Sequence, residues 1–159
     1  MDVFLSGYYG YGNLGDDIFL YVLLKYFLKE INYDKMYTIV WDIGNLPEEI
    51  LQLFDKHQNW ILIEQKYAPR LKKYLNLLKG FSKDLVIFGG GTFLYDDVKN
   101  QVKNLFVKYI LTSYSVLTGS KIIGLGVGCD ELKSKFSKIS VKGILKNMDK
   151  IYFLEIKAH

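Results

Sequence analysis

Short apolar runs alternate with longer segments in which apolar residues recur at helical spacing, and this pattern continues along the whole chain. Apolar runs rich in Val, Ile, Phe and Tyr are typical of strands. They predict strands at Val3–Ser6, Met36–Trp41, Trp60–Ile63, Leu85–Phe88, Lys121–Leu125 and Ile151–Leu154. The segments between them predict helices, with Pro near two starts and Gly after two ends, at about Asp16–Glu30, Pro47–Lys56, Pro69–Lys79, Val98–Leu117 and Ser137–Asn147. The fourth helix is expected to present one apolar face made of Val102, Leu105, Phe106, Tyr109, Ile110, Val116 and Leu117.

Strict alternation of strands and helices predicts the α/β class, with a Rossmann-like parallel sheet and helices on both of its faces. In such sheets, ligands bind beyond the carboxyl ends of the strands. Three glycine-rich clusters follow or end predicted strands, at Gly7–Asp17, Gly89–Thr92 and Gly124–Gly128. We therefore expect the three clusters to line one ligand cleft.

The first cluster supplies most of the predicted substrate-binding residues. A carboxylate and an amide suit the recognition of sugar hydroxyls, because each can engage neighbouring hydroxyl groups. The same side chains have a local alternative, since Asp and Asn also cap helices and stabilise turns. The tyrosines of this loop either stack on a sugar ring or pack the loop against the sheet. The candidates here are Tyr11, Gly12, Asn13, Gly15 and Asp16.

The other two clusters add glycines that let a ligand approach the backbone closely. Gly90 and Gly91 follow a buried strand directly, and Thr92 adds a hydroxyl beside their amides. Gly126 stands in the middle of the third cluster, whose alternating glycines also permit close helix packing. The sequence assigns no catalytic residue, and the two histidines, His57 and His159, are too far apart in sequence to suggest a metal site.

A dinucleotide site is a weaker alternative for the first loop. Gly10, Gly12 and Gly15 satisfy the G-x-G-x-x-G pattern, and Asp42 follows the second predicted strand as a ribose-binding acid would. However, Asp16 and Asp17 would then lie where a pyrophosphate needs backbone amides and not carboxylates.

Composition limits the remaining possibilities. The 159 residues suffice for one domain with a core, and 50% of them are hydrophobic. A single cysteine and the absence of a signal peptide or a long apolar run predict a cytoplasmic protein with no transmembrane segment. The net charge of +4 is concentrated towards the end of the chain, with seven lysines against four acids from Cys129 onward. This charge favours anionic partners or a membrane surface, or it simply solvates a helix face, and it is too modest to predict nucleic-acid binding.

Taken together, the first cluster with its N-x-G-D core, the Val86–Thr92 segment and the Ile123–Gly128 segment resemble the polysaccharide pyruvyl transferase family. The resemblance covers nearly the whole chain, but only the N-terminal half of such an enzyme. It implies two Rossmann-like domains in a GT-B-like arrangement, with residues 1–159 forming the N-terminal one and the C-terminal domain absent. It also implies transfer of the pyruvyl group of phosphoenolpyruvate to a sugar of a cell-surface polysaccharide, with no other cofactor and no metal.

Several expectations follow from this resemblance. The acceptor would be a glycan or a lipid-linked saccharide, with peripheral membrane association and a separate C-terminal half as further partners. The chain alone is expected to be inactive, as a truncated gene product or part of a split protein, because the basic residues that grip phosphoenolpyruvate are expected mainly in the second domain. The alternative is a single-domain module that binds a sugar or nucleotide without catalysis.

Overall fold

A computed structural model describes residues 1–90, 92–96 and 99–153, and within these ranges the chain forms seven strands and five α-helices. The strands are β1 (Asp2–Ser6), β2 (Lys35–Val40), β3 (Trp60–Glu64), β4 (Leu85–Gly89), β5 (Thr92–Leu94), β6 (Lys121–Cys129) and β7 (Lys150–Phe153). The helices are α1 (Leu14–Lys25), α2 (Glu48–Lys56), α3 (Arg70–Phe81), α4 (Lys99–Leu117) and α5 (Lys135–Asn147). All six predicted strands and all five predicted helices are present, most of them with shifted ends. The predicted helix start at Val98 and the predicted strand end at Leu154 lie outside the described residues.

Every strand pair in the sheet is parallel, and the main strands lie in the order β3-β2-β1-β4-β6-β7. From β1 the chain adds β2 and β3 on one side, and from β4 it adds β6 and β7 on the other side. The direction in which strands are added therefore reverses between β1 and β4. This is the Rossmann-like strand order, and the predicted α/β class is confirmed. The crevice at such a switch point, beyond the carboxyl ends of β1 and β4, is where doubly wound sheets bind ligands.

The short strand β5 was not predicted. It pairs with the same strand as β4, namely β6, and continues the register of that pairing. Leu85 pairs with Lys121, Gly89 with Leu125 and Thr92 with Gly128, so each partner lies 36 residues further along the chain. Between them Gly90 has a φ of +95°, a left-handed conformation that L side chains rarely adopt. The second glycine cluster therefore interrupts a strand edge.

The third glycine cluster forms the carboxyl-terminal half of a strand that is longer than predicted. Gly124–Gly128 lies inside β6, which extends to Cys129 and does not stop at Leu125. Gly126 has a φ of +62°, and the pairing with β7 shifts register between Leu125 and Val127. The physical reason is a bulge, since a left-handed glycine lets a strand take up an extra residue and continue.

Helices cover both faces of the sheet. One core contains residues of α1 and α2 packed on β1, β2, β3 and β4, with Leu20, Ile50 and Trp60 among its members. The second core lies under α3, α4 and α5 and includes Phe81 and Ile144. In the described part of the chain, no helix combines the length and apolar character that crossing a membrane requires.

Two predicted helices differ in detail. α1 ends at Lys25, and a 3-10 turn over Phe27–Glu30 replaces the last predicted turn. In α4 the predicted apolar face is only partly buried. Leu105 and Leu111 face the core together with Thr112 and Ser115, whereas the side chains exposed are Phe106, Ile110, Val116 and Leu117. The hydroxyl of Ser115 donates to the Phe81 carbonyl, so a small polar residue is tolerated where α4 meets α3.

Candidate functional site

The loop after β1 and the end of β4 touch each other at the switch point. A Cβ on Gly7 would lie 2.3 Å from the Tyr9 ring and 2.7 Å from the Gly89 carbonyl oxygen, so only glycine fits. Tyr9 is fully buried, and its hydroxyl donates to that same carbonyl at 3.3 Å. Tyr9 therefore packs the loop against the sheet and does not face a ligand.

The loop is tied to the start of α1 by three side chains. Asn13 caps the helix, since its Oδ1 accepts from the Gly15 amide at 3.2 Å, and its Nδ2 donates to Asp16 Oδ2 at 2.7 Å. Asp17 Oδ1 accepts from the Gly10 amide at 2.8 Å. The predicted sugar-binding groups of Asn13 and Asp16 thus bond each other, and Gly12 and Gly15 lie exposed beside them.

The second motif reaches this corner from the other strand. A Cβ on Gly90 would lie 3.1 Å from Asp16 Oδ1, so the two motifs meet although they are far apart in sequence. Gly126 directly follows Leu125, the partner of Gly89 in the sheet. Gly91 lies outside the described residues, and of Thr92 only the backbone, in β5, is described.

Negative charge dominates this corner. Burial raises the pKa of Asp16, and the neighbouring Asp17 raises it further, against the hydrogen bond from Asn13. Burial also raises the pKa of Asp17, against the hydrogen bond from Gly10. Two buried carboxylates repel a phosphate, which disfavours a pyrophosphate at the start of α1.

Asp42, the candidate ribose-binding acid of the dinucleotide alternative, is engaged elsewhere. Its carboxylate accepts from the Gly44 amide at 2.9 Å and from Lys66 Nζ at 2.6 Å. The bond with Lys66 is the main reason that the pKa of Asp42 is lowered. The first contact lies within the turn that follows β2, and the second joins this turn to the segment just after β3. Together they explain this acid without a ribose.

A cavity of about 290 Å³ opens beside the loop, between α3, α4 and the end of β2. The loop forms part of its wall through Gly7, Tyr8 and Tyr11. Apolar side chains form most of the rest, namely Ile39, Leu77, Phe81, Phe88, Val107 and Leu111. An apolar cavity with a few polar groups is the usual form of a small-molecule site, and this volume suits a ligand smaller than most drugs.

Two lysines contribute to the cavity. Lys108 Nζ donates to the Tyr8 hydroxyl at 3.0 Å and lies 4.8 Å from the centroid of the Tyr8 ring. Burial lowers the pKa of Lys108 to about 7 and raises the pKa of Tyr8 to about 12. Lys73 Nζ lies 4.5 Å from the Trp41 ring centroid. Trp41 in turn stacks on Tyr11, with ring centroids 5.4 Å apart and planes 17° apart.

Gln65 is a buried polar side chain of the cavity wall, which also includes Ser6 and Asn104. It is 6% exposed, and neither its Nε2 nor its Oε1 has a hydrogen-bond partner among the described residues. Its backbone amide donates to the Val40 carbonyl at 2.9 Å, which fixes the residue beside the end of β2. A buried amide without partners is costly in a folded protein, so a role in contacting a ligand is one explanation for this one.

Of the predicted site residues that the structure describes, only Tyr11 lines the cavity. The glycine clusters did not predict Trp41, Gln65, Lys73 or Lys108, because none of these residues belongs to a cluster. One indication was available for Lys108: it lies three residues from both Leu105 and Leu111, which are buried, so helical spacing points it inwards.

The fold and this site define a doubly wound α/β domain with a cavity beside the loop at its switch point. Comparisons with models of protein families, with curated proteins and with solved structures found no match to this chain.

Proposed function

We propose that this chain is the N-terminal Rossmann-like domain of a polysaccharide pyruvyl transferase. The observation that carries the proposal is the meeting of two of the family-like motifs at the switch point, where Asp16 Oδ1 lies 3.1 Å from the position that a Cβ on Gly90 would occupy. Motif residues that assemble into one corner at a ligand-binding edge fit a shared task better than separate local roles.

The proposed reaction joins two hydroxyls of one sugar to C2 of phosphoenolpyruvate. Two C–O bonds form, the bond between C2 and the phosphate oxygen breaks, and inorganic phosphate leaves. One hydroxyl proton ends on C3, which becomes a methyl group, and the other ends on phosphate. The product is a pyruvate ketal, and no oxidant or reductant is consumed.

In this proposal the described domain supplies one wall of a GT-B-like cleft. The corner formed by Asn13, Asp16 and Gly90 is acidic, so it suits sugar hydroxyls and not the phosphate of the donor. The donor would then be held mainly by basic residues of a second domain, across the cleft. The general acid that protonates C3 is not assigned.

The basic surface of α5 suits the location that the proposal requires. The reaction would occur in the cytoplasm, with the domain resting on a membrane that carries lipid-linked acceptor saccharides. Lysines spaced three and four residues apart lie on one side of a helix, and an anionic membrane surface attracts them. The α5 lysines are all exposed: Lys135, Lys138, Lys142 and Lys146.

The test is a gene deletion in an organism that encodes both this chain and a C-terminal half, followed by NMR measurement of pyruvate ketals in its surface polysaccharides. We expect the ketals to disappear and to return with the native gene but not with Asp16→Ala. Asp55→Ala, which removes an exposed acid at the end of α2, is the matched control and should restore them. Ketal content unchanged by the deletion would refute the proposal.

A second candidate is a sugar- or nucleotide-binding module without catalysis. The cavity favours it, because residues of this chain alone form that cavity. Two results together would support this candidate. The chain would bind a small ligand, and it would release no phosphate from phosphoenolpyruvate in response to an acceptor, even with a C-terminal half present.

A further inference from the structure

The polar groups that line the cavity are unbalanced in charge. Lys73 and Lys108 both contribute ammonium groups, and among the described lining residues none is an Asp or a Glu. The acidic corner at Asp16 lies outside this lining. A ligand that occupies the cavity therefore gains from carrying negative charge, and a cation is disfavoured.

The Gln65 amide specifies a second property of the ligand. Its Nε2 is a donor and its Oε1 is an acceptor, and neither is satisfied within the described protein. A hydroxyl group both donates and accepts, so one hydroxyl or two neighbouring ones can satisfy this amide. A phosphate or carboxylate alone satisfies only the donor.

The aromatic residues give a third property. Tyr8 and Tyr11 meet edge to face with ring centroids 5.9 Å apart, and Tyr11 stacks on Trp41. Together with the apolar wall, these rings offer flat surfaces for the C–H face of a sugar ring. The volume of about 290 Å³ limits the ligand to about one monosaccharide with a small substituent.

We propose that the cavity between α3, α4 and β2 is a binding site for an anionic monosaccharide, either a sugar phosphate or a sugar acid. Lys108 and Lys73 hold the anionic group, Gln65 binds ring hydroxyls, and Tyr8, Tyr11 and Trp41 contact the ring. This site is separate from the acidic corner and does not require that the chain be a transferase.

The test is calorimetric titration of the purified chain, with tryptophan fluorescence as a local reporter. Trp41 stands at the cavity, and Trp60 lies in the core on the opposite face of the sheet. Glucose 6-phosphate represents sugar phosphates and glucuronate represents sugar acids. Glucose, inorganic phosphate and phosphoenolpyruvate are the comparison probes.

We expect saturable binding and a change in Trp41 fluorescence with glucose 6-phosphate, glucuronate or both, and their relative affinity identifies the anionic group. Glucose and phosphate should each bind at least about tenfold more weakly, because each satisfies only half of the site. Lys108→Met and Gln65→Met should each weaken binding by about tenfold or more. Lys103→Met removes an exposed lysine of the same helix and should leave the affinity unchanged.

Circular dichroism establishes that each variant is folded. If one variant does not fold, the comparison of ligands on the unaltered chain still tests the proposal. Absence of saturable binding by both anionic sugars would overturn the inference. Binding of phosphoenolpyruvate in place of the sugars would also overturn it, while leaving the transferase proposal intact. Sugar binding that survives both cavity variants would place the site elsewhere and refute this assignment.

Discussion

Replacement of Gln65 by methionine should make the protein more stable. The side chain is 6% exposed, and its two polar atoms lack hydrogen-bond partners among the described residues. Methionine keeps the unbranched course of the glutamine side chain and removes both polar atoms. The substitution thus tests whether the amide is held in the cavity wall for a reason other than stability.

The magnitude follows from two opposing terms. A buried polar group left unsatisfied costs about 1–3 kcal/mol, and this cost is recovered in the variant. Methionine has one heavy atom fewer than glutamine, and the small space created costs up to about 1 kcal/mol. We expect a net gain in the free energy of unfolding of about 1–2 kcal/mol, which for a chain of this size raises Tm by about 2–8 °C.

Urea unfolding followed by circular dichroism measures the effect. The midpoint should rise while the slope with denaturant stays constant, since the surface exposed on unfolding does not change. Gln58→Met, at an exposed turn, is the control and should alter stability by no more than about 0.5 kcal/mol. Destabilisation of Gln65→Met by more than about 1 kcal/mol would show that the amide is hydrogen-bonded in the free protein, and the reasoning would fail.

Further predictions concern the loop and the cavity. Gly10→Ala should destabilise the protein more than Gly12→Ala in urea unfolding. Both glycines have a positive φ, but a Cβ on Gly10 would lie 2.7 Å from the Asp42 carbonyl oxygen. Nothing lies within 4 Å of a Cβ on Gly12. Asn13→Ala should cost about 1 kcal/mol in the same assay, because it removes the cap of α1, and equal stability would contradict the capping role. The affinity for glucose 6-phosphate should fall as the pH rises through about 7, the pKa of Lys108, because the neutral amine attracts the anion less. An equally steep pH dependence of the affinity in Lys108→Met would exclude this residue as the cause.

Much of the fold was predictable because strands covered on both faces are continuously apolar and the intervening helices are amphipathic. The errors arose where local rules give two answers. A glycine after an apolar run ends β4 with a left-handed turn at Gly90, but in β6 the glycine at position 126 forms a bulge and the strand continues. In α4, the predicted apolar face did not include Ser115, which is buried because its hydroxyl donates to the Phe81 carbonyl.

The cavity was harder to predict than the loop. The loop residues are neighbours in sequence, so their motif is visible in one segment. Gln65, Lys73 and Lys108 come from the end of β3, from α3 and from α4, and only the crossovers of the sheet bring them to one wall. A polar residue that faces inwards is recognised from its surroundings, and those surroundings come from distant parts of the chain.

The network of hydrogen bonds around the glycine loop has a consequence for kinetics. The Gly10 amide donates to Asp17, and the Gly10 carbonyl accepts from Asn45 Nδ2 at 3.2 Å, so one residue anchors the loop from two sides. Fixing the backbone of one residue costs about 1–2 kcal/mol of conformational entropy. For Gly10 this cost belongs to folding and not to ligand binding. A ligand therefore meets a loop that is ordered before it arrives. Its association rate should depend linearly on ligand concentration, with no plateau set by a rearrangement of the loop.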